Sequence, residues 1–521
     1  MIAFKGSISR LWTASPVALG LLWGVPATAQ PATNQLVIAQ GTDAVTMDPH
    51  NTTQMTAMQP FNFVYEKLLN RDKDMRLIPE LAEAWKSLDP TTWEILLRKG
   101  VKFHNGEDFN AEAVKFTLDR VKVSGATAVS GGFTTIAEVR AIDANTVHIV
   151  TKQPDPLLPA RLAQWGAQML PPGYIKEAGV EGLALKAVGT GPYRFGQWRK
   201  DDALVFEANP AYWGAAPKFS RVTFRPIKDE LARVSALTAG EVDIAVNIPV
   251  DFTDQVKTGK GTYLAQTLAA ATDVFLMGSD EALKSRDVRL ALNLAIDRKK
   301  LSDTLFRGFA KPIAQGAAPT DFGFNPSIPD YPYDPEKAKK LLADAGYPKG
   351  FSIVVQSSNG YILGDTLVVE AVVEMLKKIG VDAQPRVLEI ARRAEMLGKR
   401  QVTGLVLANP GSTLFDTDGI VWRLLHPEAL AGSYWPRGQK DTDFYKLMET
   451  ARYTIDESAR RELYFKAAEI LHDDPPWLYL WQEFFLYGVN CRVAFAARVD
   501  TMILPASLEA DASKRGGGQC Q

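Results

Sequence analysis

Apolar residues recur at helical spacing in several separate stretches of the chain. In SRDVRLALNLAIDR, Val288, Ala291, Leu292, Ala295 and Ile296 fall at i, i+3, i+4, i+7 and i+8, so one face of a helix is predicted to be buried. In YDPEKAKKLLADAGYPKG the stripe is Ala338, Leu341, Leu342 and Ala345. Asp334 is placed to cap that helix, Pro335 to open it, and Gly346 and Pro348 to end it. Leu463, Ala467, Ile470 and Leu471 repeat the pattern ahead of Pro475 and Pro476, and Asn110 is placed to cap a helix carrying Val114, Leu118 and Val121. Between these helices the period changes to two. TWEILLRKGVKF alternates Trp93, Ile95 and Leu97 with polar neighbours, while LVIAQG, VTFRPI, FSIVVQSS and FLYGV are short runs of β-formers. Helices and strands that interleave along the whole chain predict α/β layers around mixed or parallel sheets.

At 521 residues the chain exceeds what one core organises, about 250 to 300 residues, which implies two or three domains. An apolar fraction of 46% and a charged fraction of 23% are those of an ordinary globular protein. Fifty-nine basic residues meet 60 acidic ones, and without the first 29 residues, which hold Lys5 and Arg10 but no acid, the net charge is −3. That balance argues against a nucleic-acid partner or an anionic membrane surface.

Lys5 and Arg10 precede the apolar stretch VALGLLWGV, which is followed by Ala27 and Ala29 at A-x-A spacing. This is the pattern of a signal peptide over residues 1–29, cleaved after Ala29, and it implies a periplasmic destination. The apolar run is shorter than the roughly 18 residues a membrane span needs, and no Cys follows it to take a lipid. PPWLYLWQEFFLYGV is interrupted by Gln482 and Glu483, so no stable membrane insertion is expected. Cys491 and Cys520 are the two cysteines; in an oxidising compartment they pair, or Cys491 stays free and buried beside a loose tail.

Catalytic chemistry finds little support. His50, His104, His148, His426 and His472 stand singly, without H-E-x-x-H, and neither G-x-S-x-G nor S-x-x-K occurs. FDTDG resembles the start of a calcium loop, but the twelfth position counted from Asp416 is Pro427. In VGTGPYRFGQW, Gly189 and Gly191 lack the third glycine of a dinucleotide fingerprint, since Arg194 stands there, and Pro192 removes a donor an anion nest would use. The glycines are expected to serve a turn, with Tyr193 and Phe195 packing inward or towards a cleft. No catalytic residue, metal or cofactor is expected.

Several stretches in order resemble one family, the extracellular solute-binding proteins of family 5, the peptide/nickel class that serves ABC importers. They are LIPELAEAWKSLDPTTWEILLRKGVKFHNGEDFNAEAVKFTLDRV, VGTGPYRFGQW with FEANPAYWG, FRPIKDELARVSALTAGEVDIA, SRDVRLALNLAIDRKKL, YDPEKAKKLLADAGYP, VVEMLKKIGV and ARRELYFKAAEILHDDPPWLYLWQ. The resemblance implies an α/β, type II periplasmic-binding-protein fold: two lobes, a hinge, and a discontinuous first lobe carrying an extra subdomain. By the same resemblance residues 30–273 form lobe I, with the subdomain near 55–187, residues 274–483 form lobe II, and 484–521 return to lobe I and end in a tail. The hinge crossings fall near TDVFLMGS and LWQEFFLYG.

The implied function is that of an exported, monomeric receptor, not an enzyme, that closes on a small ligand and delivers it to an ABC permease. Di- and oligopeptides are the first cargo to consider; metal chelates, haem, glutathione, opines and oligosaccharides stay open, as do a periplasmic peptide hydrolase and a chaperone. In peptide-binding members an Asp of the second lobe meets the ligand ammonium, which points to Asp416 first and Asp418 second in NPGSTLFDTDGIVW, although Phe415 and Thr417 depart from the family's G-D-P-D wording. Arg393, beside Arg392, is the nearest match to a carboxylate partner. Phe415, Trp422, Trp165 and Tyr193 are candidates to line the cleft, with Thr52, Thr53 and Gln54 as polar contacts from the first lobe.

Overall fold

One long strand, Trp477–Asn490, organises the molecule. Residues 477–481 run antiparallel to Asp273–Met277, and 481–483 to Ala310–Pro312. Beyond that point the partners change: residues 484–490 pair with Thr262–Leu268, and 487–489 with Ile244–Val246. On one side the sheet continues through Leu405–Ala408, Ser352–Ser357 and Asp382–Val387; on the other it continues through Gln35–Gln40, Arg221–Pro226, Ala203–Ala208 and Tyr193–Arg199. Gln35–Gln40 is parallel to Arg221–Pro226, and Ser352–Ser357 to Asp382–Val387, within an otherwise largely antiparallel arrangement. The sheet is therefore mixed, as the interleaved pattern predicts.

This computed structural model describes residues 34–358, 362, 364–427, 429, 434–510 and 520. The expected leader over residues 1–29 and its cleavage after Ala29 lie outside them. From Gln35 onward the chain forms one unit with two main cores on either side of the change of partners. The first gathers Leu36, Ile38, Phe61, Phe63, Phe206, Phe224, Ile244 and Tyr487. The second gathers Phe275, Val288, Leu292, Val355, Val372, Leu376, Leu405 and Leu480. Each such side chain contributes about 1.5 to 3 kcal/mol by leaving water. The first lobe is discontinuous, because its sheet takes strands from both ends of the chain.

A separate four-stranded antiparallel sheet, in the order Ala82–Asp89, Thr92–Leu97, Thr146–Thr151, Ile136–Asp143, forms the subdomain with helix Ala111–Val121. Trp93, Ile95, Leu97, Val114, Leu118 and Val121 share its core, which is the alternation and stripe read from the sequence. The expected caps are present. Asn110 accepts from the amides of Glu112 and Ala113 at 3.1 Å, and Asp334 accepts from Lys337 at 2.9 Å, each satisfying donors the first helical turn leaves free.

Gly189 and Gly191 allow a close approach of backbone to backbone. The Gly191 amide donates to the Val64 carbonyl at 2.9 Å, and a Cβ on Gly189 would stand 2.1 Å from that oxygen. Tyr193 follows into the core, its ring 5.5 Å from that of Phe63 and its hydroxyl accepting from the Phe219 amide at 3.4 Å. Cys491 and Cys520 form a disulfide. Among the described residues no helix is long and apolar enough to cross a membrane.

Candidate functional site

The strand Leu405–Ala408 delivers the chain into a loop that turns back at residues 415–419. Phe415 takes φ 52°, a left-handed conformation that a bulky residue holds only when its surroundings impose it. Two contacts with Phe322 impose it: the Phe322 amide donates to the Phe415 carbonyl at 2.9 Å, and the Thr417 amide returns a bond to the Phe322 carbonyl at 3.0 Å. Asp416 caps the short turn Thr417–Gly419 by accepting from the Asp418 amide at 3.0 Å.

The two acids of this loop have different surroundings. Asp416 is buried beside Tyr464 and paired with Arg460 Nη2 at 3.4 Å. Burial raises its pKa and Arg460 counteracts. Asp418 is 4% exposed, and its Oδ1 has no hydrogen-bond partner; Arg452 Nε stands 3.7 Å from that oxygen. Burial pushes the Asp418 carboxyl up to about 6, with Arg452 opposing.

Asp418 lines a cavity of about 770 Å³ between the subdomain and the second lobe. Thr53, Val129, Arg161, Gln164 and Trp165 form one wall; Ser412, Trp422, Arg400, Arg423, His426 and Arg452 form the other. Arg452 lies over the Trp422 ring at 5.0 Å. Arg161 is held by Asp155 at 2.9 Å. A second cavity of about 380 Å³ adjoins it and shares Gln164, Trp165, Gly411, Ser412 and Thr413. Its remaining wall includes Lys67, Asn70, Arg71, Ala269, Ala270, Ala271, Phe415, Phe485 and Asp500, so it lies beside the segments where the chain passes between the halves.

The halves are in contact across this cleft. Thr413 Oγ1 donates to Gln164 Oε1 at 3.1 Å, and Arg71 Nη2 to the Leu414 carbonyl at 2.6 Å. The Arg71 guanidinium lies 4.9 Å from the Phe415 ring centre, and Leu414 packs on Leu157 and Ala160. The two sides of the cleft are therefore bridged beside the cavities.

Of the residues expected in the cleft, Thr53, Trp165, Asp418 and Trp422 line the larger cavity, and Phe415 and Trp165 the smaller. Five lie elsewhere. Asp416 is consumed behind the loop by Arg460. Tyr193 is in the first core, because the backbone contact at Gly191 turns it inward. Arg393 is buried and donates to the Leu407 carbonyl at 3.2 Å, lining neither of the two cavities described. Gln54 is exposed ahead of helix Met55–Val64, and Thr52 is buried, accepting from the Gln54 amide. Arg161, Arg400, Arg423, Arg452, Lys67 and Arg71 were not foreseen; as single basic residues, they carry no local signal.

Two lobes joined by two crossings, with cavities between them, define a solute-binding protein of the type II fold. The chain belongs to the bacterial extracellular solute-binding proteins, family 5, whose middle-region profile matches residues 76–431; it is a binding protein and not an enzyme. A glutathione-binding protein, GsiB, of Pectobacterium atrosepticum is 31% identical over 494 residues, covering 92% of this chain and 93% of that protein. Its counterpart in Escherichia coli strain K12 is 31% identical over 473 residues, covering 89% and 91%. Among solved structures, the periplasmic binding protein DppA of Helicobacter pylori, in complex with the peptide STSA, superposes with a TM-score of 0.76 at 25% identity, covering 92% of this chain and 98% of that one. HbpA2 of Haemophilus parasuis superposes at 0.81 with 24% identity, covering 92% and 100%, which speaks to the fold alone.

Proposed function

We propose that this protein captures small peptides carrying a free ammonium and surplus negative charge, γ-glutamyl tripeptides of the glutathione kind among them, and presents them to the permease of an ABC importer. The observation that carries this reading is Asp418: a buried carboxylate whose Oδ1 accepts no hydrogen bond and meets Arg452 at 3.7 Å, in a cavity whose other charged side chains are Arg161, Arg400, Arg423, Arg452 and the titratable His426. An ammonium satisfies the open oxygen, and the guanidinium forks suit carboxylates. The cavity falls within the roughly 300 to 1,000 Å³ of small-ligand sites. The relatives that bind glutathione and the neighbour holding a tetrapeptide support the same class.

The reading takes residues 30–273 with 484–521 as the first lobe and 274–483 as the second, hinged at residues 269–272 and 482–484. The change of partners along Trp477–Asn490 supports that division. The protein acts as a monomer in the periplasm after cleavage behind Ala29. Ligand shifts the open and closed populations by its differential affinity for the closed form.

Calorimetric titration of ligand-free protein with glutathione, a tetrapeptide, an opine, an oligosaccharide and a nickel–histidine chelate tests the cargo. Binding of the peptides, lost when their amino terminus is acetylated, is expected. Binding of the sugar or the chelate alone would sink the peptide reading.

A further inference from the structure

Arg71 reaches across the cleft and keeps one donor unused. It ends the strand Leu69–Arg71 of the first half, where its carbonyl accepts from Arg498 Nη2 at 3.1 Å and its own Nη1 donates to the Met75 carbonyl at 2.6 Å. With the backbone and one nitrogen tied to its own half, the guanidinium is presented to the other. There Nη2 holds the Leu414 carbonyl and the group lies against the Phe415 ring, while Nε is buried without a hydrogen-bond partner. Asp500, the acid of its own half that acts on it, is paired with Arg498 at 2.7 Å.

The second half presents the matching acceptor. Asp321 is 5% exposed; its Oδ2 accepts from the Ala318 amide at 2.8 Å, and its Oδ1 has no hydrogen-bond partner. It directly precedes Phe322, whose backbone bonds hold the left-handed turn at Phe415. The carboxyl and the loop that Arg71 grips are therefore tied to each other. The neighbouring cations are engaged elsewhere: Arg460 pairs with Asp416, and Arg460 and Arg461 lie over the Phe322 ring at 4.4 and 4.5 Å. Burial pushes the Asp321 carboxyl up to about 7 and Asp416 adds to the rise; the Ala318 amide opposes it, and so does Arg71, the one cation among the described residues that acts on this acid. An unused donor in one half and an unused acceptor in the other, opposite in charge and both out of water, each carry a cost that pairing reduces.

We propose that Arg71 and Asp321 form a latch between the lobes, completed when the cleft closes and broken when it opens, which sets the closure equilibrium for every cargo alike. Cargo binds the closed form, so its apparent affinity scales with the closed fraction. A weakened latch then lowers the affinity of unlike cargoes by one factor. The latch rests on the closure of two lobes and not on which cargo they hold.

The test titrates glutathione and tetra-alanine into wild type, Arg71→Met, Asp321→Asn and the double variant, and compares the ligand-free proteins by small-angle X-ray scattering. Each single variant is expected to lose affinity for both cargoes by a common factor of at least about fivefold, within the scale of one charge-assisted hydrogen bond. The double variant binds no more weakly than the weaker single one, as members of one pair should. Ligand-free wild type is the most compact of the four. An Arg71→Met loss that differs more than about threefold between the two cargoes makes Arg71 a ligand contact and overturns the latch. Losses that multiply in the double variant overturn it as well, as does equal compactness of all four ligand-free proteins. If Arg71→Met melts several degrees below wild type, because the bond to Met75 is also gone, Asp321→Asn decides alone: unchanged affinity and compactness there overturn the latch. Wild type that binds neither cargo removes the peptide reading, and the scattering of the ligand-free proteins then decides the latch.

Discussion

Asp418→Asn separates a ligand contact from a structural one, because the two roles predict changes of opposite sign. The wild-type carboxyl lies near 6 instead of 3.8, chiefly through burial. The native chain therefore holds its proton more tightly than the unfolded chain, and stability falls as pH rises from about 4 to above 6. Two pH units correspond to about 3 kcal/mol at the upper limit. Asparagine has the same shape and no charge, so the empty variant should be more stable than wild type at pH 8, by up to that amount, and level with it at pH 4. Arg452, left without its acid, is partly exposed and can be solvated. Binding should move the other way. Loss of charge-assisted hydrogen bonds to a ligand ammonium costs about 1.5 to 3 kcal/mol, or roughly 10- to 150-fold in Kd. Wild-type affinity should also fall below pH 6 as the carboxylate protonates, whereas the variant should show no such dependence. Thermal denaturation from pH 4 to 8, with calorimetric titration of glutathione, reads both effects. A variant that melts lower at pH 8 and binds as well as wild type would refute the reasoning, since Asp418 would then be holding the loop.

Arg460→Met leaves Asp416 charged and buried, which should cost about 3 to 5 kcal/mol, and adding Asp416→Asn should recover part of the lost melting temperature. Gly189→Ala places a methyl against the Val64 carbonyl, which the Gly191 hydrogen bond holds in place; overpacking of this kind costs about 1 to 3 kcal/mol, read by urea denaturation. Reduction of the Cys491–Cys520 disulfide, which spans 29 positions, should lower stability by about 3 to 4 kcal/mol on the loop-closure scale, and Cys520→Ser should match the reduced wild type.

What the sequence made legible was local. Asn110 and Asp334 cap the helices they were expected to cap, since a cap needs only the first turn beside it. The stripe on Arg286–Leu294 and the alternation in Thr92–Leu97 point to the cores that bury them. The sheet order was not legible from periodicity, because neighbours such as Val246 and Tyr487 lie far apart in the chain. The resemblance to a family supplied the two lobes. It located the acid loop as well, but ranked Asp416 ahead of Asp418. Their order depends on Arg460 and Tyr464 of helix Glu457–Asp473, residues that no pattern around FDTDG specifies. Tyr193 had two open destinations, and the turn at Gly191 chose the core.

The shared strand Trp477–Asn490 also sets the order in which the molecule can be built. The first half of the chain, however long it waits on the ribosome, lacks residues 484–490, against which Ile244–Val246 and Thr262–Leu268 must pair. The second half lacks residues 477–481 until the same moment. Neither sheet can close before synthesis has nearly finished, and pairing over such separations is slow. A chain that cannot complete either lobe early stays unfolded for most of its synthesis, so its fold carries its own delay.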